Sequence, residues 1–172
     1  IYRPAGGGPF PALLERTPYD KAAPSRSERT ASVATPRPRA ELAAYFVARG
    51  YAVVFQDCRG RYCSEGSFTK YLSEAEDGYD TLAWLVRQPW CDGRVGMYGM
   101  SYPGAAQLLA ASARPGGLTA IAPGMTSVDF RDGWTYVGGT LNLAFVLWWA
   151  AALGIDAARR AGDLEAVAAL GG

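Results

Sequence analysis

The apolar run "YAVVF", Tyr51 to Phe55, is a continuous block of β-branched and aromatic residues, the pattern of a strand buried on both faces. What surrounds it limits the fold. Ahead of it Pro38 suits a first helical turn, Leu42, Tyr45, Phe46 and Arg49 follow at helical spacing, and Gly50 closes the segment. Behind it the loop "QDCRGRYCSEGSF" leads to Ser73, which with Glu76 predicts a capping box. The helix it opens carries Tyr79, Leu82, Ala83 and Val86 on one face and ends at Pro89. A strand from Arg94 to Tyr98, a helix from about Tyr102 to Ala113 and a strand "LTAIA" from Leu118 continue the alternation. At the start, "PALLERTPY" is a short extended run bounded by Pro11 and Pro18, followed from Asp20 to Arg37 by a loop rich in charge, Ser and Pro. Parallel strands need crossover connections, so strands alternating with helices predict an α/β fold with a mostly parallel sheet flanked by helices.

After Pro123 the pattern changes. A loop containing Gly and Trp precedes helical stretches near Thr140–Leu153 and Asp156–Leu170, which reads as an added helical layer. Two regions are expected: 1–125, holding the α/β core, and 126–172, beginning a helical cap.

Composition narrows the function classes. A chain of 172 residues is long enough for a real hydrophobic core, since about 150 residues already bury roughly 68–70% of the unfolded surface. Seventeen Lys and Arg against sixteen Asp and Glu leave a formal charge of +1, so nothing points to nucleic acid or to an acidic membrane surface. The longest greasy stretch, Leu141 to Ile155, is shorter than the ~20 residues of a bilayer span and contains Asn142. Cys58, Cys63 and Cys91 cannot pair completely, and without histidine they cannot by themselves complete a four-ligand zinc site. They read as free thiols in a reducing compartment, and the expected location is cytoplasmic. The chain opens without an initiator methionine or a leader and stops in a helical pattern, as a segment cut at both ends would.

The chemistry concentrates in "VGMYGMSYPG", residues 95–104. A serine two residues after Gly99, following a buried strand and opening a helix, is how α/β-hydrolases present a nucleophile on a sharp turn. The usual second glycine is replaced by Pro103, with Gly104 one further on, and proline is compatible with a first helical turn. The alternative is that Ser101 is an ordinary helix N-cap; its place at the end of a strand favours chemistry. The amide of Tyr102 would supply one donor to an oxyanion. The second normally comes from the loop after the first strand, here "TPYDK", where Tyr19 is either the donor or a packing aromatic.

Four ordered stretches, "YRPAGGGPFPALLERTPYDK", "GYAVVFQDCRGRYCSEGSF", "EAEDGYDTLAWLVRQPWCDGRVGMYGMSYPG" and "GLTAIAPGMTSVDF", resemble the cocaine-esterase-like hydrolases. These form the CocE/NonD group, related to X-Pro dipeptidyl-peptidases and α-amino-acid ester hydrolases. The resemblance implies an α/β-hydrolase fold, Ser101 as nucleophile, and an oxyanion site made by the Tyr102 amide and the Tyr19 hydroxyl. It implies that Trp134 and Trp149 line an acyl pocket, the alternative being packing within the cap. Substrates would be small esters, amides or short peptides, and no metal or cofactor is called for. Other charged residues read as structural: Asp57, Arg59 and Glu65 pair with one another to hold their loop, and the carboxylates of Glu74–Asp77 complement a helix start.

A serine hydroxyl needs a base to take its proton, and the chain contains no histidine. In this fold the acid and the histidine follow the nucleophile on later strands. The expectation is therefore that both lie beyond Gly172, that these residues are the front part of a larger hydrolase, and that alone they are inactive. The competing class is a non-catalytic binding or assembly module that retains the sheet; within enzymes, a peptidase cleaving after proline competes with an esterase.

Overall fold

The computed structural model describes residues 1–25 and 35–171. The charged loop expected from Asp20 to Arg37 falls, over 26–34, outside the described residues. By tight clustering of contacts the chain divides into two compact units, Ile1–Thr126 and Ser127–Gly172.

The first unit is built on four strands: β1 (Phe10–Thr17), β2 (Ala52–Asp57), β3 (Cys91–Met100) and β4 (Leu118–Gly124). Three helices connect them: α1 (Arg39–Val47), α2 (Glu74–Leu85) and α3 (Tyr102–Ser112). The sheet runs in the order β2-β1-β3-β4, and all three pairings are parallel. Leu14 lies beside Val54 on one side and Met97 on the other, so the middle of the sheet is aliphatic across three strands.

Period-two alternation sends these side chains to opposite faces. On one face Ala12, Leu14, Ala52, Val54, Val95 and Met97 pack against Leu82 and Leu85 of α2 and Ala110 of α3. On the other, Val53 and Phe55 meet Ala43, Phe46 and Val47 of α1. Helices therefore cover both faces, and residues 52–55 are buried as the composition of the run predicts, while Tyr51 precedes β2 and is exposed. Among the described residues β4 pairs only with β3, and its other side accommodates Pro123, which has no N–H to donate.

Two details of α2 differ from expectation. Ser73 stands at the N-cap but its side chain makes no capping hydrogen bond, because its backbone is already helical (φ −96°, ψ −2°). No capping box with Glu76 therefore forms. The inward face is Gly78, Leu82 and Leu85, while Tyr79 is 44% exposed. The reason is close approach: a Cβ built on Gly78 would lie 2.4 Å from Ala110 Cβ, so α2 meets α3 through a bare backbone position that hydrophobic spacing does not register. The helix also stops at Leu85, short of Pro89.

The second unit holds a short hairpin, β5 (Tyr136–Val137) and β6 (Thr140–Leu141), and two helices, α4 (Leu143–Ala161) and α5 (Leu164–Gly171). The break expected between Leu153 and Asp156 does not occur. Gly154 stays inside a 19-residue helix, and the chain turns at Gly162, left-handed at φ +73°, the usual conformation just past a helix end. None of the helices among the described residues is long and apolar enough to cross a membrane.

Candidate active site

β3 runs straight into α3 through Ser101, whose backbone sits at φ +66°, ψ −122°. A non-glycine residue there carries strain of order 1–3 kcal/mol, held only because the surroundings over-determine it. Those surroundings are explicit. The Ser101 N–H donates to the Gly124 carbonyl at 2.9 Å, and the Ser101 carbonyl accepts from the Ala105 N–H at 2.9 Å. Gln107, fully buried in α3, ties three segments: its Nε2 donates to the carbonyls of Gly99 (3.1 Å) and Pro103 (2.9 Å), and its Oε1 accepts from the Ala122 N–H (2.9 Å). Gly104 lets the first turn of α3 approach β4. The serine is half-buried rather than enclosed in the core.

Tyr102 is the first residue of α3, so its N–H belongs to the turn whose amides point out of the helix end. Its side chain is fully buried. The hydroxyl donates to Glu74 Oε1 at 2.9 Å and accepts from the Tyr71 N–H at 3.1 Å. The Tyr71 ring stacks on it at 4.7 Å, with Tyr19 edge-on at 6.3 Å. Burial, reinforced by the charge of Glu74, pushes the Tyr102 hydroxyl well above the usual phenol range. Burial followed by the neighbouring Tyr19 does the same to Tyr71.

Tyr19 follows β1 and is half-buried, beside the residue that follows Ser101. Its N–H donates to Thr17 Oγ1 at 3.2 Å, and Arg61 Nε donates to the Pro18 carbonyl at 2.9 Å. Asp57 holds the other end of the loop, accepting at 2.7 Å from both the Lys21 N–H and Lys21 Nζ. That hydrogen bond is the main reason the Lys21 ammonium titrates above its ordinary value.

The charged residues act differently from expectation. Asp57, Arg59 and Glu65 do not pair with one another. The β1–β2 register puts Asp57 beside Thr17, within reach of Lys21; Arg59 pairs with Asp77; Glu65 contributes its backbone carbonyl to the Gly60 N–H at 2.8 Å. Nor are the carboxylates at the start of α2 simply complements to a helix dipole. Glu74 Oε2 accepts from Arg16 Nη1 at 2.7 Å, and Asp77 lies 3.7 Å from Arg16 Nη2. Arg16 projects from β1 with its side chain 1% exposed, and a buried guanidinium left unpaired would be strongly destabilising, so the carboxylates turn inward. A cleft of about 280 Å³ opens beside this network, lined among others by Gln56, Arg59, Asp77 and Asp80.

In the second unit Trp134 and Trp149 lie edge-on at 6.1 Å, and Phe145 packs 5.4 Å from each. The cysteines are unpaired: Cys58 and Cys91 are buried and Cys63 is exposed. Burial, then the charge of Glu74, pushes the Cys58 thiol far up, so it is an inert neighbour of the network.

Gln107, Arg16 and Glu74 escape a reading based on motifs. Each leaves a trace: Gln107 is a polar residue inside the apolar run "GAAQLLAA", Arg16 is a charge within an otherwise strand-like run, and Glu74 opens the carboxylate cluster 74–77. Only their partners give those traces meaning.

A parallel sheet with helices on both faces, in which a strained serine joins a strand to the next helix, is the architecture of an α/β-hydrolase. The chain matches the family model of the X-Pro dipeptidyl-peptidases (S15 family) over residues 1–170 and belongs to that family. It is 44% identical over 155 residues to the cocaine esterase of Rhodococcus sp. (strain MB1 Bresler), a match covering 90% of this chain and 25% of that protein. Among solved structures, it resembles a CocE/NonD family hydrolase from Staphylococcus aureus with a TM-score of 0.73 at 25% identity, over 88% of this chain and 29% of the other. An α-amino acid ester hydrolase matches at a TM-score of 0.60 and 35% identity, over 74% of this chain and 22% of that one. The chain thus spans about a quarter of the length of these relatives.

Proposed function

We propose that these residues carry the nucleophile and oxyanion site of a serine hydrolase acting on small acyl esters or amides. Ser101 Oγ attacks the carbonyl carbon while its proton passes to a base. The resulting oxyanion is held by the Tyr102 N–H and the Tyr19 hydroxyl, and its collapse expels the alcohol or amine. Water then releases the acyl group by the same route in reverse order. The chain has no histidine, so an imidazole base and its acid partner would come from outside these 172 residues, and 1–172 alone would turn over at least about 10⁴-fold more slowly than the whole enzyme.

The single observation that carries this reading is the positive φ of a half-buried serine at the junction of β3 and α3. An N-cap needs no such strain, since capping serines adopt ordinary extended backbone. An ester is favoured over a peptide because the 44% identical relative is a cocaine esterase. Trp134 and Trp149 stand as candidates for taking up the acyl group on the family resemblance alone; within their own unit Trp149 is buried and the two rings pack edge-on. The test is labelling of the full-length protein with a fluorophosphonate followed by peptide mapping. Modification at Ser101 is expected, and an unlabelled Ser101 in folded protein would exclude the mechanism.

A further inference from the structure

We propose that Glu74 is a positioning residue that holds the two oxyanion donors in register, through the Tyr102 hydroxyl on one side and Arg16 on the other. The inference rests on the hydrolase reading above. The two donors come from separate elements: Tyr19 from the loop after β1, Tyr102 from the start of α3. Oxyanion stabilisation depends on both being fixed before charge develops, and a displacement of about 1 Å can cost roughly 100-fold in rate.

Glu74, at the first position of α2, touches both sides. Its Oε1 accepts the Tyr102 hydroxyl at 2.9 Å, and its Oε2 accepts Arg16 Nη1 at 2.7 Å. Arg16 Nη1 also donates to the Glu74 backbone carbonyl at 3.1 Å, and Arg16 Nε to Gln56 Oε1 at 2.9 Å. Arg16 lies on β1 three residues before Tyr19, so one carboxylate joins the strand that leads to one donor with the side chain of the residue that carries the other. The side chains of Arg16 and Glu74 are 1% and 2% exposed, so the pair is screened from water and its geometry is directional.

Stability alone does not account for such a pair. Apolar residues of similar volume in place of a buried ion pair are often neutral or stabilising. What apolar packing cannot do is fix the Tyr102 ring against sliding between Tyr71 and Tyr19. The hydroxyl, bonded to Glu74 and to the Tyr71 N–H, pins the far end of the side chain, and through it the Cα next to Ser101.

Tyr102→Phe keeps the ring and the backbone amide and removes only the hydroxyl; Glu74→Gln keeps shape and an acceptor and removes the charge opposite Arg16. In the full-length protein the readouts are the rate of fluorophosphonate labelling at Ser101 and kcat and KM for a p-nitrophenyl ester. Each variant is expected to lower the labelling rate and kcat about 10- to 100-fold with KM near wild type. The double variant should lose no more than the more damaging single, since both cut one linkage. Folded variants labelled at the wild-type rate would overturn the proposal, as would losses that multiply in the double variant. If Glu74→Gln does not fold, Tyr102→Phe decides; if that conservative change also fails to fold, the contact serves stability and the proposal falls. A wild-type protein unlabelled at Ser101 is a separate result that removes the hydrolase reading itself.

Discussion

Gly104 approaches Gly124 so closely that a Cβ built on it would lie 2.8 Å from the Gly124 carbonyl oxygen and 3.1 Å from Thr126 Cγ2. This places the first turn of α3 directly against the end of β4, whose Gly124 carbonyl also receives the Ser101 N–H. The strained turn and the small residue three positions after it are therefore one construction.

Gly104→Ala tests that construction by the sign of its effect. In an unhindered helix the change would stabilise by about 1 kcal/mol. Here the methyl meets backbone, which cannot swing aside, so a loss of about 1–3 kcal/mol is expected. A urea melt of the variant gives the answer, and a midpoint at or above wild type would contradict the close approach.

Gln107→Ala removes the side chain that joins Gly99, Pro103 and Ala122. The Gly99 carbonyl is buried and loses a donor, so a cost of about 2–3 kcal/mol is expected. Amide hydrogen exchange should rise in peptides covering 99–107 and 118–124 and stay near wild type in α1.

Ser101→Gly separates strain from function. Glycine tolerates φ +66° without a Cβ penalty, and the relief outweighs the flexibility it adds to the unfolded chain, for a net gain of about 1 kcal/mol. Phosphonate labelling should vanish in the same protein. A variant less stable than wild type in chemical denaturation would show that the turn is not strained.

Acid should act through Asp77. Burial opposes its charged form, yet hydrogen bonds from Arg59 and Ser73 and the charge of Arg16 outweigh it and hold the carboxyl below its ordinary value. A group depressed in the folded state stabilises fully above its unfolded pKa, about 3.9, and loses that contribution as the pH falls through the folded value. The stability gap between wild type and Asp77→Asn should shrink between about pH 5 and pH 2. Lys21 is the mirror case: raised in the folded state, its contribution is complete below the ordinary value of 10.5 and is lost as the pH climbs through the folded one. Lys21→Met should therefore flatten the alkaline limb of a stability profile.

Local pattern carried much of the fold. The double-sided burial of 52–55, the strand-to-helix turn at Ser101 and the place of Tyr19 just after β1 follow from composition and spacing along short windows. Each depends on a run of side chains sharing one environment, which short-range periodicity reports. The helix faces were less legible: spacing selects Tyr79 on α2, but the contact surface is Gly78, because backbone proximity leaves no hydrophobic signature.

The charged residues show where such reading stops. Asp57, Arg59, Glu74 and Asp77 each have several partners within reach along the chain, and the register of β1 on β2 together with the placement of α2 over β1 selects among them. Electrostatic pairing is a matter of a few ångströms between segments far apart in sequence: Arg16 meets Glu74, and Glu74 meets Tyr102, only once the sheet has formed. Residue types along the chain settled which elements form and where a nucleophile can stand; which ions meet, and what holds Tyr102 beside Ser101, was left to packing, because those distances exist only in three dimensions.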